Sequence, residues 1–311
     1  MKTIVTILFL CGVAAMAAAQ QPNLPDFDSL WNFDKPAETE TTFRALLPMA
    51  QQSGDNGYTA ELMTQIARTL GLQQKFDEAH AMLDSVETLL PTAGPRAYLR
   101  YWLERGRVLN SSKLPIEAMP LFEVAWLKGS AGGFDNYAVD AAHMCAIAAP
   151  AEQKLAWNLK AITLAEKSAD PKARKWLGSL YNNIGWDYFE QKQYDAALDM
   201  FTRAVAFRDS MKLPAQLRIA KWCVAKTYRM LGKLDTALEM QQQLETEWKA
   251  TEDGQDGYVY EEIGECLLAL GRTDEATPYF ALAYESLSKD QWLTRDEPAR
   301  LERLRALGKV K

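Results

Sequence analysis

The stretch KWLGSLYNNIGWDYFEQKQYDAALDMFTRAVAFRD, residues 175–209, constrains most what this chain can fold into. Its apolar residues recur at i, i+3, i+4 and i+7, the spacing of one buried helical face. The first set is Leu177, Tyr181, Ile184, Gly185 and Tyr188, and the second is Tyr194, Ala197, Leu198, Phe201, Ala204 and Val205. Gln191-Lys192-Gln193 between them has room only for a tight turn, so two helices lie antiparallel and side by side. Gly185 and Ala197, small and facing, let the two backbones approach. One apolar flank of this hairpin stays open and calls for a neighbour of the same kind.

The chain supplies several. Alanines equivalent to Ala197 stand at Ala79, Ala118, Ala237 and Ala276, separated by 39, 79, 40 and 39 residues, the 79 being two periods around a degenerate copy. Twelve residues before each anchor is a small partner: Ala67, Gly106, Gly185, Ala225 and Gly264. Four after it come Leu83, Phe122, Phe201, Gln241 and Phe280. A fixed internal period of this length signals stacked repeats.

The sets Trp102/Gly106/Ala118/Phe122/Ala125, Tyr181/Gly185/Ala197/Phe201/Ala204 and Tyr260/Gly264/Ala276/Phe280/Ala283 resemble the tetratricopeptide repeat (TPR) signature, and Pro91 falls where that family ends a repeat. The resemblance covers residues 58–290. Two departures are the period, near 40 rather than 34, and the blurred copy around 137–168. The resemblance implies an all-α, right-handed α-solenoid of stacked antiparallel hairpins with capping helices. The repeats fall at 58–91, 96–130, 136–168, 175–209, 215–249 and 255–288. Residues 20–57 form an extended segment and an N-terminal capping helix opened by Pro36, and 291–311 a C-terminal capping helix.

Residues 1–19, MKTIVTILFLCGVAAMAAA, read as an export signal, with Lys2 at the charged start and a small-residue cleavage site near Ala19. The expected location is therefore periplasmic or secreted, with no stable membrane insertion after cleavage. Loss of Lys2 moves the net charge from −6 to −7, an acidic balance that argues against nucleic acid as partner. Cys145, Cys223 and Cys266 remain, an odd number, and read as small core residues; a Cys223–Cys266 bridge is the alternative.

His80 and His143 stand alone without metal-ligand spacing, and no nucleotide loop or nucleophile elbow occurs. The expectation is no catalytic residue, no cofactor and no metal. Asp253-Gly254-Gln255-Asp256-Gly257 lacks the alternating ligands of a calcium loop and reads as a solvated turn.

In the TPR fold the first helix of each pair lines a concave groove. The resemblance therefore places Arg68, Arg107, Asn182, Asn183, Trp186, Phe189, Trp222, Lys226, Glu261 and Glu265 in a candidate groove. Arginines lie at one end, aromatic and amide side chains in the middle and glutamates at the other. Trp186 and Trp222 are either aromatic anchors or rings packed between repeats. The basic clamp with which some TPR proteins hold a terminal carboxylate is absent, because Ile219 and Cys223 stand where two basic residues belong. The implied function is an exported, non-enzymatic scaffold that binds a protein or extended peptide in the groove. The alternative is a periplasmic small-molecule or glycan receptor.

Overall fold

The computed structural model describes residues 24–252 and 254–310, and among these the regular structure is helical without strands. The leader and Asp253 lie outside the described residues. Packing divides the chain inside α4 into two units, Met1–Tyr101 and Trp102–Lys311. A 3₁₀ turn (Phe27–Leu30) precedes α1 (Pro36–Ser53), α2 (Asn56–Leu72), α3 (Phe76–Ala93) and α4 (Pro95–Ser111). Then come α5 (Pro115–Gly132), α6 (Asp135–Ala148), α7 (Ala151–Lys167), α8 (Pro171–Lys175), α9 (Leu177–Glu190) and α10 (Tyr194–Ser210). The last are α11 (Pro214–Met230), α12 (Leu234–Lys249), α13 (Gly257–Ala269), α14 (Thr273–Leu287), α15 (Gln291–Asp296) and α16 (Pro298–Leu307).

Helix starts follow from local chemistry. Asp55, Asp170, Asp256 and Asp290 each accept a backbone N–H of the first turn, Tyr58 at 2.9 Å and Lys172, Tyr258 and Trp292 at 2.8 Å. Pro36, Pro115, Pro171, Pro214 and Pro298 open helices at the position where a missing N–H costs nothing.

The turn inside each hairpin repeats as strictly as the anchor alanines do. Gln74, Lys113, Lys192, Gly232 and Gly271 all have positive φ, between 59° and 76°. In each case the next N–H reaches back to the last helical turn: Lys75 to Leu70, Leu114 to Leu109, Gln193 to Tyr188, Lys233 to Tyr228, Arg272 to Leu267. This is a Schellman-type stop that satisfies the last carbonyls of the first helix. The third pair differs. Its helices α6 and α7 meet at Ala149-Pro150, where Ala149 is extended (φ −72°, ψ 154°) because a following proline excludes helical backbone. That substitution of turn chemistry is why the copy around 137–168 blurs in sequence.

The glycines of the first helices make room for rings rather than for alanines. A Cβ on Gly106 would come within 2.5 Å of the Phe122 ring, one on Gly185 within 2.4 Å of Phe201, one on Gly264 within 2.9 Å of Phe280. Where the small residue is instead Ala67 or Ala225, the residue four after the anchor is Leu83 or Gln241. Large ring and glycine, or smaller side chain and alanine, are thus two solutions to the same close approach. All three phenylalanines are buried, and each contributes about 1.5–3 kcal/mol by leaving water.

Three boundaries depart from the sequence reading. Pro91 does not end its repeat; α3 continues to Ala93 and Gly94 (φ 83°) makes the turn alone, since a proline in a final turn removes only one hydrogen bond. The first helix of the fourth pair is broken at Trp176 into α8 and α9. Residues 27–30 wind into a 3₁₀ turn where an extended path was expected, because Asp26 accepts the N–H of Asp28 and, through its carbonyl, that of Ser29. Cys145, Cys223 and Cys266 are free and buried, so the Cys223–Cys266 bridge is absent.

Candidate functional site

In the first unit the groove-lining side of α2 is covered by the chain's own N-terminal segment. Thr64 and Gln65, three and two residues before Ala67, are buried. The Trp31 indole N–H donates to Gln65 Oε1 at 3.0 Å, and the Tyr58 hydroxyl donates to the Pro25 carbonyl at 2.8 Å. Phe27 sits edge-on to Tyr58 and Phe43, with ring centres 5.1 and 6.1 Å away. The Arg68 guanidinium lies 5.9 Å from the Trp31 ring and 5.4 Å from Phe33. Arg68 therefore faces aromatic rings of its own chain.

In the second unit Arg107 is also engaged internally. It donates to Glu104 Oε1 at 2.7 Å and pairs with Asp140 on α6. Burial alone would lower its pKa; the two carboxylates outweigh burial and raise it above the ordinary arginine value. His143, one turn along α6 from Asp140, is pushed below the usual imidazole range, chiefly by burial, and its ring centre lies 5.4 Å from that of Trp176. It packs beside the Trp176 ring.

The middle positions come together as an aromatic row. The Trp186 ring centre on α9 is 5.1 Å from Phe189, 5.3 Å from Phe201 and 6.1 Å from Trp222 on α11. Trp222 in turn is 6.1 Å from Tyr258 on α13 and donates its indole N–H to the Tyr258 carbonyl at 3.1 Å. Trp186, Phe189, Trp222 and Tyr258 are all half-buried, packed against one another with part of each surface open. Packed and exposed were set against each other as alternatives for the two tryptophans; each ring is both. Asn182 and Asn183, also half-buried, flank Trp186 one helical turn earlier.

The charged positions beyond the row pair between neighbouring first helices. Lys226 Nζ lies 2.6 Å from Glu262 Oε1, and Arg229 Nε lies 2.7 Å from Glu262 Oε2. Burial would raise the Glu262 carboxyl, but Lys226 and Arg229 overcome it and hold the group below the usual carboxylate range. Glu261 accepts from Arg300 Nε at 2.9 Å, and Glu265 accepts from Arg303 at 3.1 Å. Both arginines belong to α16, which closes the stack where a further first helix would stand.

One part of this surface was missed. A cavity of about 340 Å³ is lined by Arg218, Ile219, Trp222, Trp248, Asp256 and Tyr258. The Arg218 guanidinium stacks over Trp248, 4.4 Å from the ring centre. Ile219 and Tyr258 each stand six residues before the small residue of their repeat, so extending the positional rule one turn toward the helix start would have found them. Trp248 ends a second helix, and the repeat gives no signal for it. Burial pushes the Asp256 carboxyl above the usual carboxylate range, against the pull of the Tyr258 and Val259 N–H groups that it caps.

Among the described residues no group of three or more His, Cys, Asp or Glu is placed to hold a metal ion, and no helix is long and apolar enough to cross a membrane. Residues 177–208 match a family model described as tetratricopeptide repeat. No curated protein matches the sequence. The fold is similar to that of a Signal Transduction ATPase with Numerous Domains from Pyrococcus horikoshii that has a tetratricopeptide repeat sensor, with a TM-score of 0.67 and 13% identity over 88% of the chain. The chain spans 44% of that protein's length. It is also similar to the apo form of RapI, with a TM-score of 0.68 and 9% identity over 90% of this chain and 81% of that one. Aspartyl phosphate phosphatase F from Bacillus subtilis aligns with a TM-score of 0.52 and 16% identity over 86% of this chain and 76% of that one. At such identities the likeness is one of fold. Helix pairs held at one register, the matched repeat at 177–208 and these shared folds give the chain a TPR-like helical repeat fold.

Proposed function

We propose that the chain is an exported, non-catalytic scaffold that holds a protein or an extended peptide on the first helices of its second unit. One observation carries the reading: the half-buried row Trp186–Trp222–Tyr258 crosses three successive first helices and leaves aromatic surface open. Rings packed on one side and open on the other lose little conformational freedom on binding, and binding energy concentrates on such residues. Lys226, Arg229, Glu261 and Glu262 beside the row are committed within the chain, through Glu262 to Lys226 and Arg229 and through Glu261 to Arg300. Contact with a partner along the row itself therefore rests on aromatic and amide groups, Asn182 and Asn183 among them. Export rests on the leader-like residues 1–19.

The test begins by selecting a random-peptide library on the chain and measuring the best binders against Trp186→Ala and Trp222→Ala. Loss of an anchoring tryptophan should cost about 2–4 kcal/mol of affinity, roughly 30- to 1000-fold. Helix content and melting temperature are measured alongside, because Trp222 also fastens α11 to α13. If both variants keep their fold and bind as well as the parent, the reading is wrong.

A further inference from the structure

We infer that the cavity beside Trp222 takes an aromatic side chain followed directly by an acidic one, presented by an extended segment of a partner. The inference rests on the groove-binding reading above and names the chemistry of the partner.

The cavity has apolar walls in Ile219, Trp222, Trp248 and Tyr258, wide enough at about 340 Å³ for one ring. Its electrostatics are unfinished. Among the described residues Arg218 makes no ion pair, and its Nε, shielded from water, has no acceptor. Asp256 lines the same cavity and its carboxylate feels the Arg218 charge, but its Oδ1 accepts the N–H groups of Tyr258 and Val259 at 2.8 and 3.4 Å, and it makes no hydrogen bond to the Arg218 Nε. The indole N–H of Trp222 is spent on the Tyr258 carbonyl. What the Arg218 Nε lacks is an acceptor, and a carboxylate is the acceptor that a guanidinium binds most strongly. A cationic guest is disfavoured although the walls are aromatic, because Arg218 already covers Trp248 and Lys226 Nζ already sits 4.9 Å over Trp222.

The first unit holds a related contact within one chain. Phe27 lies under the Arg100 guanidinium, 5.4 Å from ring centre to Cζ, and the adjacent Asp28 pairs with that same arginine, which Glu61 on α2 also meets at 3.1 Å. Arg100 stands six residues before Gly106, while Arg218 and Ile219 stand seven and six before Ala225. An aromatic–acidic dipeptide on a first-helix arginine is thus a contact this scaffold makes with itself, and Arg218, one residue before the register of Arg100, offers a second first-helix guanidinium near the same end of its helix.

The probe is a fluorescein-labelled, amidated peptide with the sequence of residues 24–33, LPDFDSLWNF, titrated against the full chain by fluorescence anisotropy. Binding should weaken at least roughly tenfold for Arg218→Met, for the peptide with its Phe27 equivalent changed to Ala, and for the peptide with its Asp28 equivalent changed to Asn. Arg218→Lys should recover part of the loss. Absence of binding, or undiminished binding to Arg218→Met, overturns the inference. So does a loss produced by Arg100→Met and not by Arg218→Met, which would place the peptide on the first unit in exchange for the chain's own segment. Circular dichroism of each variant confirms the fold. If the library-selected peptides depend on Trp186 and Trp222 while this probe fails, the inference falls and the groove reading stands.

Discussion

Replacing Gly185 by alanine sets two familiar effects against each other, and the structure decides the sign. Alanine in a helix interior is favoured over glycine by about 1 kcal/mol. Here its Cβ would stand 2.4, 2.7 and 2.9 Å from Cε1, Cδ1 and Cζ of Phe201, where carbon atoms rest about 3.5–4.0 Å apart. The ring must withdraw by about 1 Å, and it has no free direction, being fully buried with Trp186 at 5.3 Å. Overpacking of this kind costs about 1–3 kcal/mol, and three ring atoms in conflict put it at the upper end. Gly185→Ala is therefore expected to destabilise the chain by about 1–2 kcal/mol net. Phe201→Leu alone should cost a similar amount through the space it opens. The double variant reproduces the Ala67/Leu83 pairing of the first repeat, so the two costs should largely cancel, with a coupling of about 2 kcal/mol. Urea unfolding followed by circular dichroism and tryptophan fluorescence measures all four proteins, and coincident transitions license the arithmetic. A Gly185→Ala variant more stable than the parent, or costs that add within about 0.5 kcal/mol, would refute the ring-and-glycine account.

The remaining expectations concern buried polar groups. Gln241 is fully buried and neither atom of its amide has a hydrogen-bond partner, so Gln241→Leu should stabilise by about 1–2 kcal/mol in the same urea assay. Cys145, Cys223 and Cys266 are each pushed up to about 12, mainly by burial; a thiol reagent at pH 8 should label none of them until urea unfolds the chain. Glu262 is held below the ordinary carboxylate range in the folded chain, so its contribution is complete above about pH 4.3 and fades as pH falls through the lower folded value. Glu262→Gln should cost on the order of 3 kcal/mol at pH 7 and flatten the acid limb of a stability–pH profile; an unchanged limb would exclude the Lys226–Glu262–Arg229 cluster as its source.

How far the sequence could be read follows from which physics each feature obeys. Periodicity reports burial, so the helices and their pairing were legible from Leu177 through Val205 and from the alanines that echo Ala197. The same periodicity is silent about which side chain demands a glycine. Gly185 and Ala197 were read as mutual partners, whereas the conflict lies with Phe201, sixteen residues on; the exchange of Gly–Phe for Ala–Leu between copies carried that information. Third-repeat turn chemistry was hidden for a related reason, because Ala149-Pro150 replaces a left-handed residue with an extended one and shifts the register that repeat-counting depends on.

Which positions share one face of a first helix could be read from the sequence, since side-chain direction along a helix is fixed by geometry. Their occupancy could not, because occupancy is decided by segments one repeat away or more. Arg68 meets Trp31 and Phe33 of the N-terminal segment expected to be extended, and Glu261 and Glu265 meet arginines of a helix assigned no more than capping. An aligned stripe of charge on successive first helices puts carboxylate and guanidinium about one repeat spacing apart. Long side chains bridge that gap, so such a stripe fastens repeats together before it meets any partner. Aromatic residues at the same positions cannot cancel one another in this way: each ring that packs on its neighbour still turns an edge or a face outward. In a stack built like this one, a groove position becomes available to a partner when its side chain has surface left over after the repeats are joined. That condition selects Trp186, Trp222 and Tyr258, and among the described residues it leaves the Arg218 Nε without an acceptor.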